Sequence, residues 1–449
     1  MIKQKFKPNK DILKLKDVEI DVSAQSPDYA EQTLTVSTLL PRVFYYGIEL
    51  PAQNIRKLTI DSNKFLPICY IQFEDTFAML HDIGFPTDNA KLTVILPSNH
   101  SALANIFMEF KITNFNVELL RGSSAKKIHM WGTCNIENML IKEYKSYKDT
   151  TSYDIMYKNA QEIGLGFMSN VDSSNDKMTW INPGLHNYVF LQDTINKGWI
   201  GESSYVWGFV DLFYNLNFVD VEKSLNQDIN EIVWVPSNIM DNTETLQTET
   251  KTIGPILTNE ASARSSNTYF SGEKIINQST DISLKRGYLR NVHYYDIDGN
   301  WDDKAGSYKQ YQLDTITSQG TGGTTIYLKG EPGDTDFYGK NKTYHYMGLL
   351  DTKNMHPDYL WACIQNEENL YDLQKINMVI TLPVPNFNIK RFEKIRLLFT
   401  NNNVSIAANQ RNVKLNGEWL VTGVTYEWNG SAFYQYVYIV KRELTVGEL

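Results

Sequence analysis

Between residues 13 and 147 the sequence alternates short apolar segments, rich in β-branched and aromatic residues, with turn residues. The segments that predict strands are residues 13–22, 32–38, 43–50, 55–61, 66–75, 91–97, 106–120, 128–136 and 139–147. The turn residues at or between them are Pro51, Pro67, Gly84, Pro86, Pro97 and Gly122. Many short strands at such spacing are typical of an antiparallel barrel or sandwich.

The composition supports a mainly β chain. Aromatic residues make up 12% of the 449 residues, with 27 Tyr, and such residues favour strands. Apolar residues make up 42%, which is enough for ordinary cores. A chain of this length predicts about two to four domains.

The charge balance excludes one broad class of function. The net charge is −9 and the pI is about 5.4, so the chain lacks the excess of cations that a general nucleic-acid binder needs. Residues 1–16 are locally basic but have no apolar core, so they are not a secretory signal. We expect a solvated arm there, or an arm that docks on an acidic partner. No run of about 18 apolar residues predicts a membrane span.

The cysteines give no framework for disulfides or zinc. Cys69, Cys134 and Cys363 are far apart, in strand-like apolar surroundings, and form no CxxC pair. We expect small buried hydrophobic residues in a reducing compartment.

The pattern changes at residues 149–167, where apolar residues follow a helical period. Thr151 can cap this helix with Asp154 as its capping-box partner, and Gly164 can end it. A second helix is predicted over residues 188–198. A third is predicted from Ser203 or Ser204 to about Phe213, followed by a strand that ends at Lys223.

Strand patterns return in the carboxyl-terminal half. They cover residues 231–236, 375–387, 394–401, 417–428 and 433–444, with a hairpin at 291–313 whose turn is Asp298-Gly299. Residues 91–117 also resemble residues 377–404, since each has a strand ending in Leu-Pro and a second strand ending in Thr-Asn. A repeat of this kind predicts two copies of one barrel with other regions inserted.

The expected organisation follows from these patterns. It has a first tube-like β-barrel at 1–147, a small peripheral α/β domain at 148–230, a discontinuous second barrel at 231–282 and 375–449, and an inserted β-rich peripheral region at 283–374. The predicted fold class is therefore mainly β with α+β insertions and two similar antiparallel barrels.

A search for chemistry finds no strong motif. Residues 296–303 carry alternating acids like a calcium loop, but Gly299 falls at the fourth position and Ser307 stands where a bidentate Glu is needed. A hairpin turn fits them better. The seven histidines show no HExxH or HxH spacing, and neither a nucleophile elbow nor a phosphate loop is present.

Acidic residues leave one enzymatic possibility open, because glycosidase carboxylates need only proximity in space. The adjacent acids are Glu74-Asp75, Asp302-Asp303 and Glu367-Glu368, all near turns. Asp211, Asn215 and Asn217 lie among aromatic residues without a base, nucleophile or metal partner at a recognisable spacing. We expect structural hydrogen bonding from them, and the sequence predicts no catalytic, cofactor-binding or metal-binding residues.

Three stretches together resemble a known family. They are residues 151–170 with 176–183, residues 203–223 with Trp207 to Asp211 and Tyr214 to Asn217, and residues 359–399 followed by 417–444. In this order they resemble the baseplate central hub protein of contractile-tailed bacteriophages.

The resemblance implies a structural, non-enzymatic role without cofactors. It implies a homotrimer with six barrels around a channel, which adapts a threefold spike below to a sixfold tail tube or tube initiator above. Baseplate wedge proteins would surround it, and DNA would pass through during genome ejection without specific binding. Such a protein would be assembled in the host cytoplasm, belong to the virion and need no membrane. The segment 241–345 is longer than the family pattern.

Two other functions stay open on the sequence. A β-rich carbohydrate-binding or receptor-binding tail protein would use its Tyr, Trp and Asn residues against sugars. A glycosidase or peptidoglycan hydrolase would need two acids brought together by the fold.

Overall fold

The computed structural model describes residues 2–9, 40–76, 88–98, 105–119, 125–201, 204–234, 268–277, 289–296, 307–312, 324–326, 343–350, 354–359, 362–363, 365–366, 373, 376–398, 417–441 and 444–446. The chain is mainly β, as the sequence predicts, and most strands belong to one large sheet. The predicted strands at 13–22 and 32–38 lie outside the described residues.

The amino-terminal part supplies the first unit of the large sheet. After β1 (Lys3–Phe6), which lies elsewhere, its strands are β2 (Arg42–Tyr45), β4 (Ile55–Asp61), β5 (Ile68–Asp75), β6 (Lys91–Leu96), β7 (Ile106–Leu119) and β8 (Lys126–Cys134). Their order in space is β2-β6-β7-β8-β5-β4, with every neighbouring pair antiparallel. The short strand β3 (Ile48–Glu49) extends the β2 edge, and a 3₁₀ turn (Ala52–Asn54) precedes β4.

Alternation of side chains explains why these segments are strands. Along β5 buried and half-buried residues alternate, so that Cys69, Ile71 and Phe73 face the core. β8 shows the same alternation, with Ile128 and Met130 inward. Complete burial of each such side chain, cysteine excepted, stabilises the fold by roughly 1.5–3 kcal/mol.

The carboxyl-terminal part supplies a second unit. Its strands are β14 (Ile229–Trp234), β16 (Gly272–Asn277), β21 (Ile376–Leu382), β22 (Lys394–Leu398), β23 (Gly417–Trp428) and β24 (Phe433–Lys441). Their order in space is β14-β22-β23-β24-β21-β16. β15 (Thr268–Tyr269) extends the β14 edge.

The two units share one topology. The six main strands of each unit, without the short strands β3 and β15, can be numbered along the chain. In both units they then lie side by side in the order first, fourth, fifth, sixth, third, second. One pairing differs, because β2 is antiparallel to β6 whereas β14 is parallel to β22. An ion pair also recurs between the fourth and fifth strands: Lys91 Nζ lies 3.3 Å from Glu109, and Lys394 Nζ lies 2.5 Å from Glu418.

The doubling predicted from the sequence is therefore present, but the predicted correspondence between the strands of the two units was wrong by one strand. The sequence matched residues 91–117 with 377–404, which pairs β6 and β7 with β21 and β22. In the structure β6 and β7 correspond to β22 and β23. A Leu-Pro ending marks where a strand stops, and it carries no information about which strand of the unit it ends.

The units join edge to edge inside the chain. Thr425–Trp428 of β23 pairs antiparallel with Leu58–Asp61 of β4. We call this pairing the seam. It makes the two units one 14-stranded sheet.

A smaller sheet lies between the units in sequence. Its order is β1-β10-β13-β12, with β10 (Gly166–Ser169), β12 (Val206–Val210) and β13 (Asn215–Asp220). β9 (Lys142–Thr150) and β11 (Met178–His186) form a separate antiparallel pair. The accompanying helices are α1 (Glu137–Leu140), α2 (Ser152–Ile163), α3 (Asn187–Asn196) and α4 (Val221–Leu225).

Helix α2 confirms Thr151 as its N-cap and Gly164 as its end. The Thr151 side chain accepts a hydrogen bond from the Asp154 backbone N–H, and Gly164 ends the helix in the left-handed conformation at φ 88°. Helix α3 confirms the second predicted helix within one residue at its start.

The third predicted helix is wrong. Residues 206–210 and 215–220 form the β12–β13 hairpin. The strand predicted after Asn215 is confirmed as β13, whose residues alternate from Asn215 to Phe218, although it ends at Asp220 and not at Lys223. β12 is instead buried at nearly all positions and forms a continuous apolar run. Periodicity alone cannot distinguish such a strand from a buried helix.

The basic start is a strand where it is described, not a solvated arm. β1 pairs antiparallel with β10, and Lys5 forms an ion pair with Asp172. These residues belong to the small sheet, although the prediction placed them in the first barrel. The other domain boundaries stay predictions.

The inserted region contains β17 (Leu289–Asp296), β18 (Ser307–Gln312) and β20 (Thr343–Leu350) in one sheet, while β19 (Thr324–Ile326) pairs with β25 (Leu444–Val446). β17 and β18 are antiparallel, as the predicted hairpin requires, but Asp298-Gly299 lies outside the described residues. Within the described ranges, no helix has the length and hydropathy to span a bilayer.

Candidate functional site

The turn of the β12–β13 hairpin is built around Asp211. Its Oδ1 accepts hydrogen bonds from the backbone N–H groups of Phe213 and Asn215, both at 2.9 Å. Its Oδ2 accepts from the Asn215 and Asn217 side-chain amides, at 3.0 and 3.3 Å. An Asp that binds the backbone two residues on is a turn-forming arrangement.

This geometry indicates that Asp211, Asn215 and Asn217 stabilise the turn of the hairpin. Burial raises the pKa of Asp211, and the hydrogen bonds from Asn215, Phe213 and Asn217 act in the opposite direction. Both oxygens already accept hydrogen bonds from the hairpin itself. The prediction of structural hydrogen bonding is confirmed, although these residues close a hairpin instead of joining a helix to a strand.

The hairpin also contacts both units of the large sheet. The backbone N–H of Val210 donates to the Phe65 carbonyl at 2.7 Å, next to β5. The Tyr214 hydroxyl accepts from the backbone N–H of Glu109 on β7 at 2.9 Å. The Phe209 ring lies 5.7 Å from the Phe392 ring, just before β22. The hairpin therefore packs where the two units meet.

Arg391 is the central residue of this junction. It is 5% exposed, and its guanidinium donates to four backbone carbonyls. They are those of Ser62 (2.6 Å), Lys64 (2.9 Å), Asn63 (3.1 Å) and Thr422 (2.9 Å). The fork of five N–H donors is what allows one side chain to reach all four.

The surroundings of Arg391 belong to three parts of the chain. Residues 62–64 precede β5 in the first unit, Thr422 lies on β23 in the second, and the Phe209 ring of the hairpin lies 4.1 Å from the guanidinium. Burial lowers the pKa of Arg391 to about 9, and Asp61 opposes this shift. The group stays protonated at neutral pH and ties the three parts together.

The seam lies beside this cluster. Ile60 and Tyr426 are opposite each other and are 0% and 3% exposed. Lys57 Nζ lies 2.9 Å from Glu427 across the same pairing. A Cβ at Gly423 would lie 1.7 Å from Asn63 Oδ1, so a larger residue there would displace the Asn63 side chain.

Two sheet edges resemble the seam but carry no strand partner in the described part of the chain. β6 pairs with β7 only at Ile106–Lys111, and no other described strand pairs with that side of β7 beyond Lys111. β16 pairs with β21 on one side, and no described strand pairs with its other side. We call these the β7 edge and the β16 edge. Val117 and Leu119 on the first, and Ile275 on the second, are 43%, 76% and 47% exposed.

The remaining chemical candidates lie apart. Of the adjacent acids, Glu74 pairs with Arg56 at 2.6 Å and Asp75 is buried. The other two pairs, 302–303 and 367–368, lie outside the described residues, and so does the rest of the calcium-like loop after Asp296. In the described residues, no three His, Cys, Asp or Glu side chains group as metal ligands. Cys69 and Cys134 are buried as expected, whereas Cys363 is half-buried.

Asp176 is a fully buried acid near the helices, and no sequence motif points to it. Its carboxylate accepts from the backbone N–H of Ser152 (2.9 Å) and of Trp199 (2.8 Å), and from the Ser174 hydroxyl (2.7 Å). It holds the start of α2 against the segment after α3. Such a fully bonded carboxylate fixes structure.

Comparison with known proteins bears on the fold. No family model matches the sequence, and no curated protein matches it. The tail protein from Neisseria meningitidis MC58 is similar in structure, with a TM-score of 0.50 and 11% identity, over 90% of this chain and 97% of that one. The 43 kDa tail protein of prophage MuSo2 from Shewanella oneidensis is similar with a TM-score of 0.52 and 8% identity, over 90% and 98%. The chain thus has a fold found in two tail proteins, over most of its length.

Proposed function

We propose that this protein is a structural component of a phage-type tail baseplate, and that it acts there as a trimeric central hub. Three copies, each with two units of the large sheet, would form a ring of six units around a channel. A ring of this kind has threefold symmetry in its chains and nearly sixfold symmetry in its units. It can therefore join a threefold spike to a sixfold tail tube.

The doubled topology is the observation that carries the proposal. Both units have the strand order first, fourth, fifth, sixth, third, second, and they are joined edge to edge by the seam. A single chain with two such units presents the same kind of surface twice, as a sixfold partner demands. The likeness to two tail proteins supports the same assignment.

The mechanism is mechanical. The junction around Arg391 fixes the hairpin of the small sheet against both units, so the chain can transmit force as one body. A spike would bind at one end of the ring, a tube or tube initiator at the other, and wedge proteins around it. The net charge of −9 suits a channel through which DNA passes without being held, because like charges disfavour phosphate contacts.

Light scattering coupled to size-exclusion chromatography tests the assembly. The expected mass is three times 51.7 kDa, for the chain alone or with a spike added. Electron microscopy of the same fraction should show a ring with a central channel. A protein that stays monomeric at every concentration and with any spike, and that instead binds glycans, would refute the hub assignment.

A further inference from the structure

A short segment before β21 packs on the end of helix α3. We call it the strap, and it comprises residues 354–359, 362–363 and 365–366. Three of its polar side chains are buried, since His356, Gln365 and Asn366 are 1%, 2% and 7% exposed. Buried polar side chains need hydrogen-bond partners, and the strap finds them in α3 and in the strands beside it.

The strap contacts two strands at once. At its start, the backbone N–H of Thr179 on β11 donates to the Asn354 carbonyl at 3.0 Å. At its end, the backbone N–H of Val206 on β12 donates to Asn366 Oδ1 at 3.0 Å. The protection of these two amides from solvent exchange therefore depends on the docking of the strap.

The strap also covers the carboxyl end of α3. The last carbonyls of a helix have no partner within the helix. The side-chain amide of Asn366 donates to three carbonyls there, those of Ile195 (3.2 Å), Asn196 (3.0 Å) and Gly198 (2.8 Å). The fourth, that of Lys197, lies 3.3 Å from His356 Nε2. Two strap side chains thus satisfy four consecutive carbonyls.

His356 fits this place as a neutral ring. Its Nε2 carries the hydrogen, because the Lys197 carbonyl that it faces can only accept. Among the described residues, its Nδ1 is buried and has no hydrogen-bond partner. A second proton would have to sit on Nδ1, where it would meet no acceptor and would place a charge in a buried site.

The acids near His356 do not offset this cost. Burial lowers the pKa of His356 below its ordinary 6.5, although the hydrogen bond to the Lys197 carbonyl and the charges of Asp176 and Asp358 act in the opposite direction. The Asp176 carboxylate already accepts hydrogen bonds from the segments around it, so it acts on His356 through its charge.

The end of α3 adds a cation to these surroundings. Lys197 Nζ pairs with Asp193 at 2.5 Å and lies 5.7 Å from the centre of the Tyr359 ring. That ring in turn packs edge to face on His356, with 5.8 Å between the ring centres. A proton on His356 would bring a second positive charge to this end of the helix.

We propose that the strap is a pH-sensitive latch, which holds α3, β11 and β12 together while His356 is neutral and detaches when His356 takes up a proton. A detached His356 is solvated and binds a proton with its ordinary affinity, so opening and protonation are linked. The docked state is favoured above pH 6.5, and the open state gains as the pH falls below that value. The latch is a property of the single chain and does not rest on the hub assignment.

Hydrogen exchange at the Thr179 and Val206 amides tests the latch. After correction for the intrinsic pH dependence of exchange, opening should be up to about tenfold more frequent at pH 5.5 than at pH 7.5, because each pH unit below the ordinary pKa adds a factor of about ten. The Ile155 amide, which donates to the Thr151 carbonyl within α2, is the internal reference for changes elsewhere in the fold.

Variants identify the responsible group. His356→Gln keeps a side-chain donor and cannot take up a proton, so the pH response should disappear. His186→Gln is the matched control, because His186 lies at the other end of α3, with its Nδ1 2.6 Å from the Leu140 carbonyl, and the response should persist. Asn366→Ala should speed exchange of the Val206 amide at both pH values, since it removes the acceptor of that amide.

Two results would overturn the latch. One is a wild-type change of less than about twofold between the two pH values, or an equal change in His356→Gln. The other is a Val206 amide that exchanges in Asn366→Ala as it does in the wild type. If His356→Gln does not fold, the wild-type ratio decides. A failure of the latch leaves the hub assignment intact, because the exchange of these amides does not depend on the number of copies.

Discussion

Replacement of Arg391 by methionine should break the junction between the two units. Four backbone carbonyls would lose their donor while staying inside the junction. A hydrogen bond to a charged group contributes about 1.5–3 kcal/mol. The sum over four overestimates the loss, because the buried guanidinium is itself poorly solvated, as its lowered pKa shows.

A buried acceptor left without its donor costs about 1–3 kcal/mol, and removal of the desolvated charge offsets part of the sum over four, so we expect Arg391→Met to cost about 3–5 kcal/mol. The assay is urea unfolding, together with hydrogen exchange at the amides of Phe392 and Val421. These amides donate to the carbonyls of Val421 (2.6 Å) and Glu393 (3.0 Å) beside Arg391. A loss of about 3 kcal/mol corresponds to exchange roughly 100-fold faster if it acts locally.

Arg396→Met is the matched control. Arg396 also lies in the second unit, but its ion pair with Glu418 is partly exposed, and such a pair contributes about 0–1 kcal/mol. Arg391→Lys should be intermediate, because an ammonium group has three donors for four carbonyls. If Arg391→Met costs no more than Arg396→Met, the junction does not depend on the guanidinium.

Three smaller predictions concern the hairpin and helix α2. Asp211→Asn should cost about 1–3 kcal/mol, since one acceptor atom is replaced by a donor. Burial raises the folded pKa of Asp211 above its ordinary 3.8, so the wild-type free energy of unfolding falls as the pH rises from 3.8 through the folded pKa. The variant lacks this titration. The difference in free energy of unfolding between wild type and variant, measured in urea, should therefore be smaller at pH 7 than at pH 3.5. A deficit that grows with pH would contradict this. Gly208→Ala should cost about 1–3 kcal/mol because its Cβ would lie 2.2 Å from Ile195 Cδ1, while Gly201→Ala, with nothing within 4 Å, should leave the thermal midpoint unchanged. Equal midpoints would show that the hairpin tolerates the methyl group. Thr151→Ala should cost about 1 kcal/mol by loss of the cap, measured by the same unfolding, and an unchanged midpoint would show that the cap contributes nothing.

Local signals made α2, α3 and most strands predictable. Thr151, Asp154 and Gly164 lie within one segment and need no distant partner, so α2 could be located closely from the sequence. β23 was predicted at its observed bounds because its strand-forming residues start at Gly417 and stop at the turn after Trp428. The strand order could not be predicted this way, because neighbouring strands in the sheet are often far apart in sequence and pair through tertiary packing.

The junction could not be predicted for the same reason. Arg391 stands between Lys390 and Phe392, in a basic segment typical of a solvated surface. Its carbonyl partners at residues 62–64 are more than 300 residues away in sequence. β12 was predicted as part of a helix because burial on both faces removed its two-residue period, whereas β13 kept that period from Asn215 to Phe218 and was predicted as a strand.

The seam has a consequence for how an assembly would respond to dilution. Its two strands belong to one chain, so their effective concentration is set by the covalent connection and does not fall when the protein is diluted. In the proposed ring every second junction would be of this kind. Dilution would then separate whole chains from one another, and each released chain would keep its two units joined.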